Sequence, residues 1–343
     1  MMNCEIPCRQ RVCVTAAGGF ITSCLIKNLL ERGYIVNATC REPDNLRKTS
    51  HLLSLPGAKE RLYIFKADLF EQGSFDSAIE GCDLVINMAT SLDYTRDPEN
   101  GFIQPTIDGT LDILRACKSA KTVRRVIHTS SITAATPVDE NGKLKDCLDE
   151  SCWTPINYMR REKPQNWMYY VAKTLAEQAA LQYGEDNEIE VITVLAALVG
   201  GPSIAPTLSS ALITLTPITG NQECCEILTS YQSLMGSVPL VHVEDVCNAH
   251  MMLMEHPSAR GRYLCCSDAP LIPDMADFFR KLYPEIPIIW EFEETDVDQE
   301  VQLQKRPVRI ASSRLSEVGF AYKYGMEEII SHTVEWAKKM QVL

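Results

Sequence analysis

Residues 11–42 read RVCVTAAGGFITSCLIKNLLERGYIVNATCRE: a short β-branched run, a turn of small residues, a stretch of helical length and a second β-branched run. Leu25, Ile26, Leu29 and Leu30 recur at helical spacing to give one apolar face, and Gly33 marks the stop. Strand, turn and helix in this order are where a nucleotide's phosphates meet a helix N-terminus. The turn, Thr15-Ala16-Ala17-Gly18-Gly19-Phe20-Ile21-Thr22, is irregular. Glycine holds the middle position of a dinucleotide fingerprint, Gly19, where the backbone must approach a pyrophosphate. Ala16 and Thr22 stand where the tight turn and the close helix-to-strand contact ask for glycine. An alanine in left-handed backbone costs about 1–2 kcal/mol, or about tenfold in affinity per 1.4 kcal/mol. Such a turn weakens a site without abolishing it, because backbone N–H groups face a phosphate whatever the side chains are. Taken alone, it also fits a plain strand-turn-helix.

Outward from this stretch the same alternation continues. The runs VCVT, IVNAT, LYIFKA, LVINMA, VRRVIHTS and VITVLAALV are short, mostly β-branched and separated by helical lengths, among them DGTLDILRACKSA with Leu111, Ile113, Leu114 and Cys117. The pattern predicts an α/β fold, a doubly wound parallel sheet of the Rossmann kind. Beyond Gly201 the texture turns to GPSIAPTLSSALITLTPITGNQ, rich in proline, serine and threonine. We expect residues 1–200 to form the NADP-binding domain, with a return of the chain at about 238–258. Residues 201–343 are then mainly a smaller C-terminal α/β cap that binds substrate over the strand ends.

Composition narrows the partners. The 343 residues carry a net charge of −12 and no lysine/arginine stripe, which argues against nucleic acid or an anionic membrane surface. No run approaches the roughly 18 apolar residues of a membrane helix, and MMNCEIPCRQ has no secretory pattern. A cytoplasmic protein is the expectation. Fourteen cysteines lie singly in strands and helices, and Cys224-Cys225 and Cys265-Cys266 lack ligand spacing; reduced thiols and no metal are expected.

Two further motifs bear chemistry. Arg41 ends the second strand, about 20 residues past the turn, where a guanidinium pairs with the 2′-phosphate of NADP and an acid would hold the ribose of NAD; Lys48 is a second cation. A solvated surface arginine is the alternative. In NWMYYVAKTLAEQAALQY, Tyr169 and Lys173 are four apart on one helix face, whereas Tyr170 has no such lysine. An ammonium beside a phenol is expected to lower its pKa. Ser131, at the end of a strand in HTSSIT, can hold a substrate carbonyl beside it. Tyr-x-x-x-Lys alone is as often a surface helix, and the serine and the turn are what favour chemistry.

TAAGGFITS, KADL, NMATSLD, DPENGFIQPTIDGTLDIL, KTVRRVIHTSS, LDESCW, WMYYVAKTLAEQAA, PITGN, LVHVEDVCNAH and GRYLCCS together resemble the plant dihydroflavonol 4-reductase and anthocyanidin reductase group of extended short-chain dehydrogenases/reductases, with vestitone and cinnamoyl-CoA reductases as relatives. The resemblance runs from about Arg11 to Leu343. It implies NADPH as cofactor and a small phenolic or alkaloid-like carbonyl compound as substrate, acted on by a monomer or weak homodimer. It implies Ser131, Tyr169 and Lys173 as catalytic residues, with Ser131 rather than Ser130 in the role. It places Thr15, Ala17, Gly18, Gly19, Phe20, Ile21, Arg41, Lys48, Asp68, Leu69, Met88, Ala89, Thr90, Lys173, Ala196 and Leu198 at the cofactor, with Asp68 and Leu69 on the adenine side. Substrate would meet Leu92, Thr136 and Ser209. Ala16, Thr22 and Ala196 depart from the group's pattern, and Thr136 sits near a substrate-reading asparagine of dihydroflavonol reductases, so a different substrate is expected.

Among single residues, His128, His242 and His250 suit structural roles, Asp245 suits a helix N-terminus, and Trp153, Trp167 and Met168 suit core packing before the Tyr169 helix. Ser210, Leu212 and Ile213 join Ser209 as candidates for the substrate wall. Besides an NADPH-dependent reductase, two alternatives stand: a redox-neutral cyclase or isomerase using Tyr169, and a non-catalytic binding protein that keeps the fold.

Overall fold

The computed structural model describes residues 10–91, 93–205, 210–289 and 308–343. The first half alternates β1 (Arg11–Val14), α1 (Phe20–Glu31), β2 (Ile35–Cys40), α2 (Leu46–Leu53), α3 (Ala58–Arg61), β3 (Leu62–Lys66), α4 (Asp76–Ile79), β4 (Leu84–Asn87), α5 (Gln104–Ala120) and β5 (Arg125–Ser131). After β6 (Cys147–Leu148) come α6 (Ile156–Glu162), α7 (Trp167–Asn187), β7 (Glu190–Ala196) and β8 (Leu198–Gly200). Then follow α8 (Thr216–Thr219), α9 (Gln222–Met235), β9 (Leu240–His242), α10 (Val243–Glu255), β10 (Gly261–Cys265), α11 (Ile272–Leu282), β11 (Arg309–Ile310) and the C-terminal helix Met326–Lys339.

Seven strands form one parallel sheet in the order β10-β7-β5-β4-β1-β2-β3. The period-2 alternation of strands sends Val12 and Val14 into one core and Cys13 into another. Ile86 against Val85, and Ile127 against Val126, divide in the same way. α1 packs against α10, and α5 against α7. Strand order reverses between β1 and β4, so the crevice beyond their carboxyl ends is the natural ligand site. A third core, including Leu215, Leu228, Phe279, Ile330 and Trp336, joins the C-terminal elements with Leu198 of β8.

The run VITVLAALV does not form one strand. β7 stops at Ala196, Ala197 N–H donates to Cys265 O at 3.0 Å, and Leu198 begins β8, which pairs with β9 in a separate two-stranded sheet. Apart from Thr193 the run is apolar throughout because both sheets bury it, and periodicity therefore hides the switch. The return of the chain also reaches past 258: α10 lies on α1, and β10 completes the main sheet as its seventh strand. Among the described residues no helix is long and apolar enough to cross a membrane, and the described cysteines are free thiols.

Candidate active site

The β1–α1 turn is held from behind. Thr15 is fully buried; its hydroxyl donates to Asn87 Oδ1 at 3.0 Å and accepts from Met88 N–H and Ala89 N–H, each at 2.9 Å. Thr15 is a brace that fixes where β4 ends. Ala17 is buried too, its N–H bound to Thr39 O at 2.8 Å. Ala16 stands at φ +58°, the left-handed conformation expected of the missing glycine. At Gly19 a Cβ would lie 3.3 Å from Thr22 Oγ1 and 3.4 Å from Ala16 O, so the turn has little room for a side chain. The first-turn N–H groups of α1, from Phe20 to Thr22, have no intrahelical partner and remain for an anion.

Two cavities share Ala16, Gly19 and Thr90 in their linings and flank this turn. One, of about 660 Å³, is lined by Gly18, Arg41, Lys48, Asp68, Leu69 and Ala89, which the sequence nominated, and by Phe70 and Arg96, which it did not. Arg96 lies 4.3 Å over the Phe70 ring. Arg41 is exposed, and Lys48 donates to Glu42 Oε1 at 2.5 Å, which holds the Glu42 carboxyl below its usual range. Both partners of that pair are about half exposed, and solvent screening makes such surface pairs weak. A doubly charged phosphate can therefore draw Lys48 away. The Asp68 carboxylate is partly committed, accepting the Phe70 N–H at 3.0 Å.

The other cavity, of about 540 Å³, has Phe20, Ile21, Met88, Ser131, Tyr169, Lys173, Ala196 and Leu198 in its walls. β5 delivers Ser131 and α7 delivers Tyr169 and Lys173 one turn apart. The Ser131 hydroxyl accepts the Thr133 N–H at 3.2 Å and stands near enough to the Tyr169 phenol to favour its ionised form. Ser130 points elsewhere: its hydroxyl donates to Glu177 Oε2 at 2.6 Å. Glu177, fully buried, also accepts from Thr193 Oγ1 and from Arg262 Nε, each at 2.7 Å. That network leaves Ser131 as the serine open to a ligand. Arg262 in turn lies 3.5 Å over the Trp153 ring, which explains that tryptophan structurally.

Burial sets the protonation states. Lys173, only 3% exposed, donates to Thr129 O at 2.7 Å, and desolvation pulls its pKa down to about 8, with Glu177 opposing. Desolvation raises Tyr169 above the ordinary tyrosine value, with Ser131 opposing. The expected lowering of Tyr169 by Lys173 is not seen: burial raises the phenol, and Ser131 is what opposes it. Tyr169 is held as a neutral phenol, the form that can give a proton.

Several placements differ from the sequence reading. Thr136 is fully buried and lines neither cavity; its N–H donates to Thr154 Oγ1 at 3.0 Å. Asp245 does not cap α10, whose N-cap is His242, with Nδ1 accepting the Glu244 N–H; the Asp245 carboxylate instead accepts the N–H groups of Lys323 and Tyr324. His128 is buried against Asn87, and His250 bridges Thr129 and Val246. Trp167 and Met168 pack against the main core. Ile213 lines the 540 Å³ cavity; Leu92 and Ser209 lie outside the described residues, and of Ser210 and Leu212 only the backbone is described. Sequence reasoning missed Thr133, Tyr94, Gln165, Asn166, Ser230 and Tyr231 in that wall. No spacing links them; of these, the tyrosines carried the one available signal, a polar tip on an apolar body.

Residues 12–265 match the model of the NAD dependent epimerase/dehydratase family. The bifunctional dihydroflavonol 4-reductase/flavanone 4-reductase of Malus domestica is 43% identical over 328 residues, covering 95% of this chain and 90% of that one. The (2S)-flavan-3-ol-forming anthocyanidin reductase of Vitis vinifera is 40% identical over 339 residues, covering 98% and 97%. The crystal structure of vestitone reductase from alfalfa, Medicago sativa, superposes with a TM-score of 0.79 at 36% identity, over 98% of this chain and all of that one.

Proposed function

The chain belongs to the NAD dependent epimerase/dehydratase family, and from that premise we propose that it is an NADPH-dependent reductase of a carbonyl group in a flavonoid or related phenolic compound. Its relatives make it an oxidoreductase of the extended short-chain dehydrogenase/reductase type. The observation that carries the finer reading is that Ser131, Tyr169 and Lys173, delivered by β5 and α7, line the same 540 Å³ cavity.

The residues present fit a dinucleotide. The crowded Gly19 turn and the free first-turn N–H groups of α1 suit a pyrophosphate. The Thr90 hydroxyl, buried without a partner between the two cavities, suits a ribose or nicotinamide group, and Arg41 with Lys48 suits a 2′-phosphate. Bound there, the cofactor supplies a hydride to the carbonyl carbon. Tyr169, neutral because it is buried, gives its proton to the oxygen as negative charge develops. Ser131 steadies the same oxygen through its hydroxyl. The Lys173 ammonium, one turn along α7, favours the phenolate left behind until solvent restores the proton.

NADPH titrated into the protein and a panel of phenolic ketones assayed for NADPH consumption test this reading. Saturable binding with turnover of at least one ketone is expected; no binding of NADPH removes the reductase proposal.

A further inference from the structure

One buried charge behind the reacting groups has no part in the chemistry above. Glu177 lies fully buried on α7, one turn beyond Lys173 and two beyond Tyr169, so the three side chains share one side of the helix. Its side-chain partners all donate to it: Ser130 Oγ from β5, Thr193 Oγ1 from β7 and Arg262 Nε from β10. A carboxylate only accepts, and a guanidinium is always charged, so this donor set fits the ionised form. Arg262 is itself fastened, donating from Nη1 to Glu150 O and Cys152 O, each at 2.7 Å. Well-packed apolar residues of the same volume would hold these elements together about as firmly as a buried ion pair. Packing alone therefore does not account for a negative charge at this place.

Lys173 does account for it. Its buried ammonium is bound to Thr129 O, an uncharged partner that does not offset the loss of water, and what opposes the burial is Glu177. The neighbouring elements supply no other counter-ion. On β5, His128 is kept neutral by burial and by Lys173; on α10, His250, bonded to Thr129, is kept neutral by burial. Tyr169 is a neutral phenol, and Arg262 of β10 is a cation. The acids nearby are committed or screened. Asp112 of α5 accepts the Gly73 N–H, Glu190 of β7 is paired with Arg125 and Arg260, and Glu99 before α5 is paired with Arg160 of α6. Glu223 of α9 lines the cavity but is exposed to solvent.

We propose that Glu177 is a positioning residue of the reductase: its carboxylate is the fixed counter-charge of the Lys173 ammonium, and Arg262, Ser130 and Thr193 hold it in place for that role. The proposal rests on the reductase reading and deepens it, because Glu177 reaches the substrate carbonyl only through Lys173 and Tyr169. Without the carboxylate, burial acts on Lys173 unopposed. The ammonium is then given up at a lower pH, and its support for the Tyr169 phenolate is lost nearer to neutrality.

Two substitutions separate charge from shape. Glu177→Gln keeps the outline and removes the charge, whereas Glu177→Asp keeps the charge and shortens the reach. Protonation of Lys173 is read by NMR on protein isotopically labelled at lysine Cε, the signal assigned by its absence from Lys173→Met, and kcat is read from NADPH consumption across pH. In Glu177→Gln the Lys173 titration and the alkaline limb of kcat should both lie about one pH unit lower than in the natural sequence. Glu177→Asp should leave both close to the natural sequence. A packing role predicts otherwise, since the shorter side chain gives up more contacts than the isosteric one. A Lys173 titration that Glu177→Gln leaves in place, or that Glu177→Asp lowers as far as Glu177→Gln does, overturns the proposal. Should Glu177→Gln fail to fold because Arg262 is left unpaired, Glu177→Gln with Arg262→Gln removes both charges; the same lowering is expected of it, and its absence overturns the proposal. Should no ketone be reduced, the reductase reading falls, while the NMR titration still decides whether Glu177 is the counter-charge.

Discussion

The two cavities on either side of the Ala16–Gly19 turn are built in opposite ways. The 660 Å³ cavity takes its walls from strand ends in chain order, the turn after β1, Arg41 after β2 and Asp68 after β3. The 540 Å³ cavity gathers Tyr94, Ser131, the start of α7, Ile213 and one face of α9, segments spread over residues 94–231. The first is a property of local βαβ geometry, so it can hold the same ligand in many relatives. The second depends on contacts between distant segments, and under the proposed function it is the side that would set the choice of substrate.

The sharpest way to break this contrast is Tyr169→Phe. If the substrate side alone contains the acid, kcat/KM should fall by about 10²–10⁴ while NADPH binding, measured by fluorescence titration, stays as it was. A parallel loss of NADPH affinity would show the two cavities to be one unit.

Arg41→Gln probes the other side. Loss of a charged hydrogen-bonding partner is worth about 1.5–3 kcal/mol, so NADPH affinity should drop about 10–100-fold with NADH binding little changed. Glu42→Gln should move the same readout slightly the other way, because it releases Lys48.

A smaller effect is expected at the turn that both cavities share. Ala16→Gly removes left-handed strain of about 1–2 kcal/mol, less the entropy that glycine adds to the unfolded chain, about 0.4–1 kcal/mol. A net gain of up to about 1.6 kcal/mol, seen as a small rise in Tm, should come with tighter NADPH binding. An unchanged or lower Tm would mean that the φ of +58° at Ala16 costs little.

The mildest expectation concerns pH. Lys173 falls from 10.5 to about 8 on folding. Between these values the unfolded chain holds a proton that the folded chain has released, so this group's contribution to stability rises with pH across that window. Below about pH 8 both states are protonated and the penalty of burying the ammonium is fully present. Reductase activity should instead decline as pH passes about 8, because the ammonium that supports Tyr169 is lost; a profile flat to pH 10 would remove Lys173 from that role.

Much of the first cavity was legible in the sequence because its residues sit at fixed offsets from strands whose apolar runs announce themselves. Tyr169, Lys173 and Ser131 were legible for a related reason, a helical spacing and a strand end. Ala16 was legible even in its strain, since the turn demands one conformation whichever residue occupies it. Thr136, by contrast, was placed by analogy of position, and its backbone is tied to Thr154 away from the cavity. Asp245 was misread as a cap because a carboxylate near a helix start has the right chemistry for two uses, and the loop at Lys323 and Tyr324, distant in sequence, claims it. Tyr170 and Tyr231 were illegible for the same reason as the break at Ala197: burial by a remote partner leaves no local period.

That break has a mechanical meaning. Ala197 is the single residue between a strand of the main sheet and a strand of the separate β8–β9 sheet, and Ala196 through Val199 also line the 540 Å³ cavity. Any rocking of one layer against the other must bend the chain at that joint, so the width of the mouth and the floor beneath the reacting carbon would change in step rather than separately.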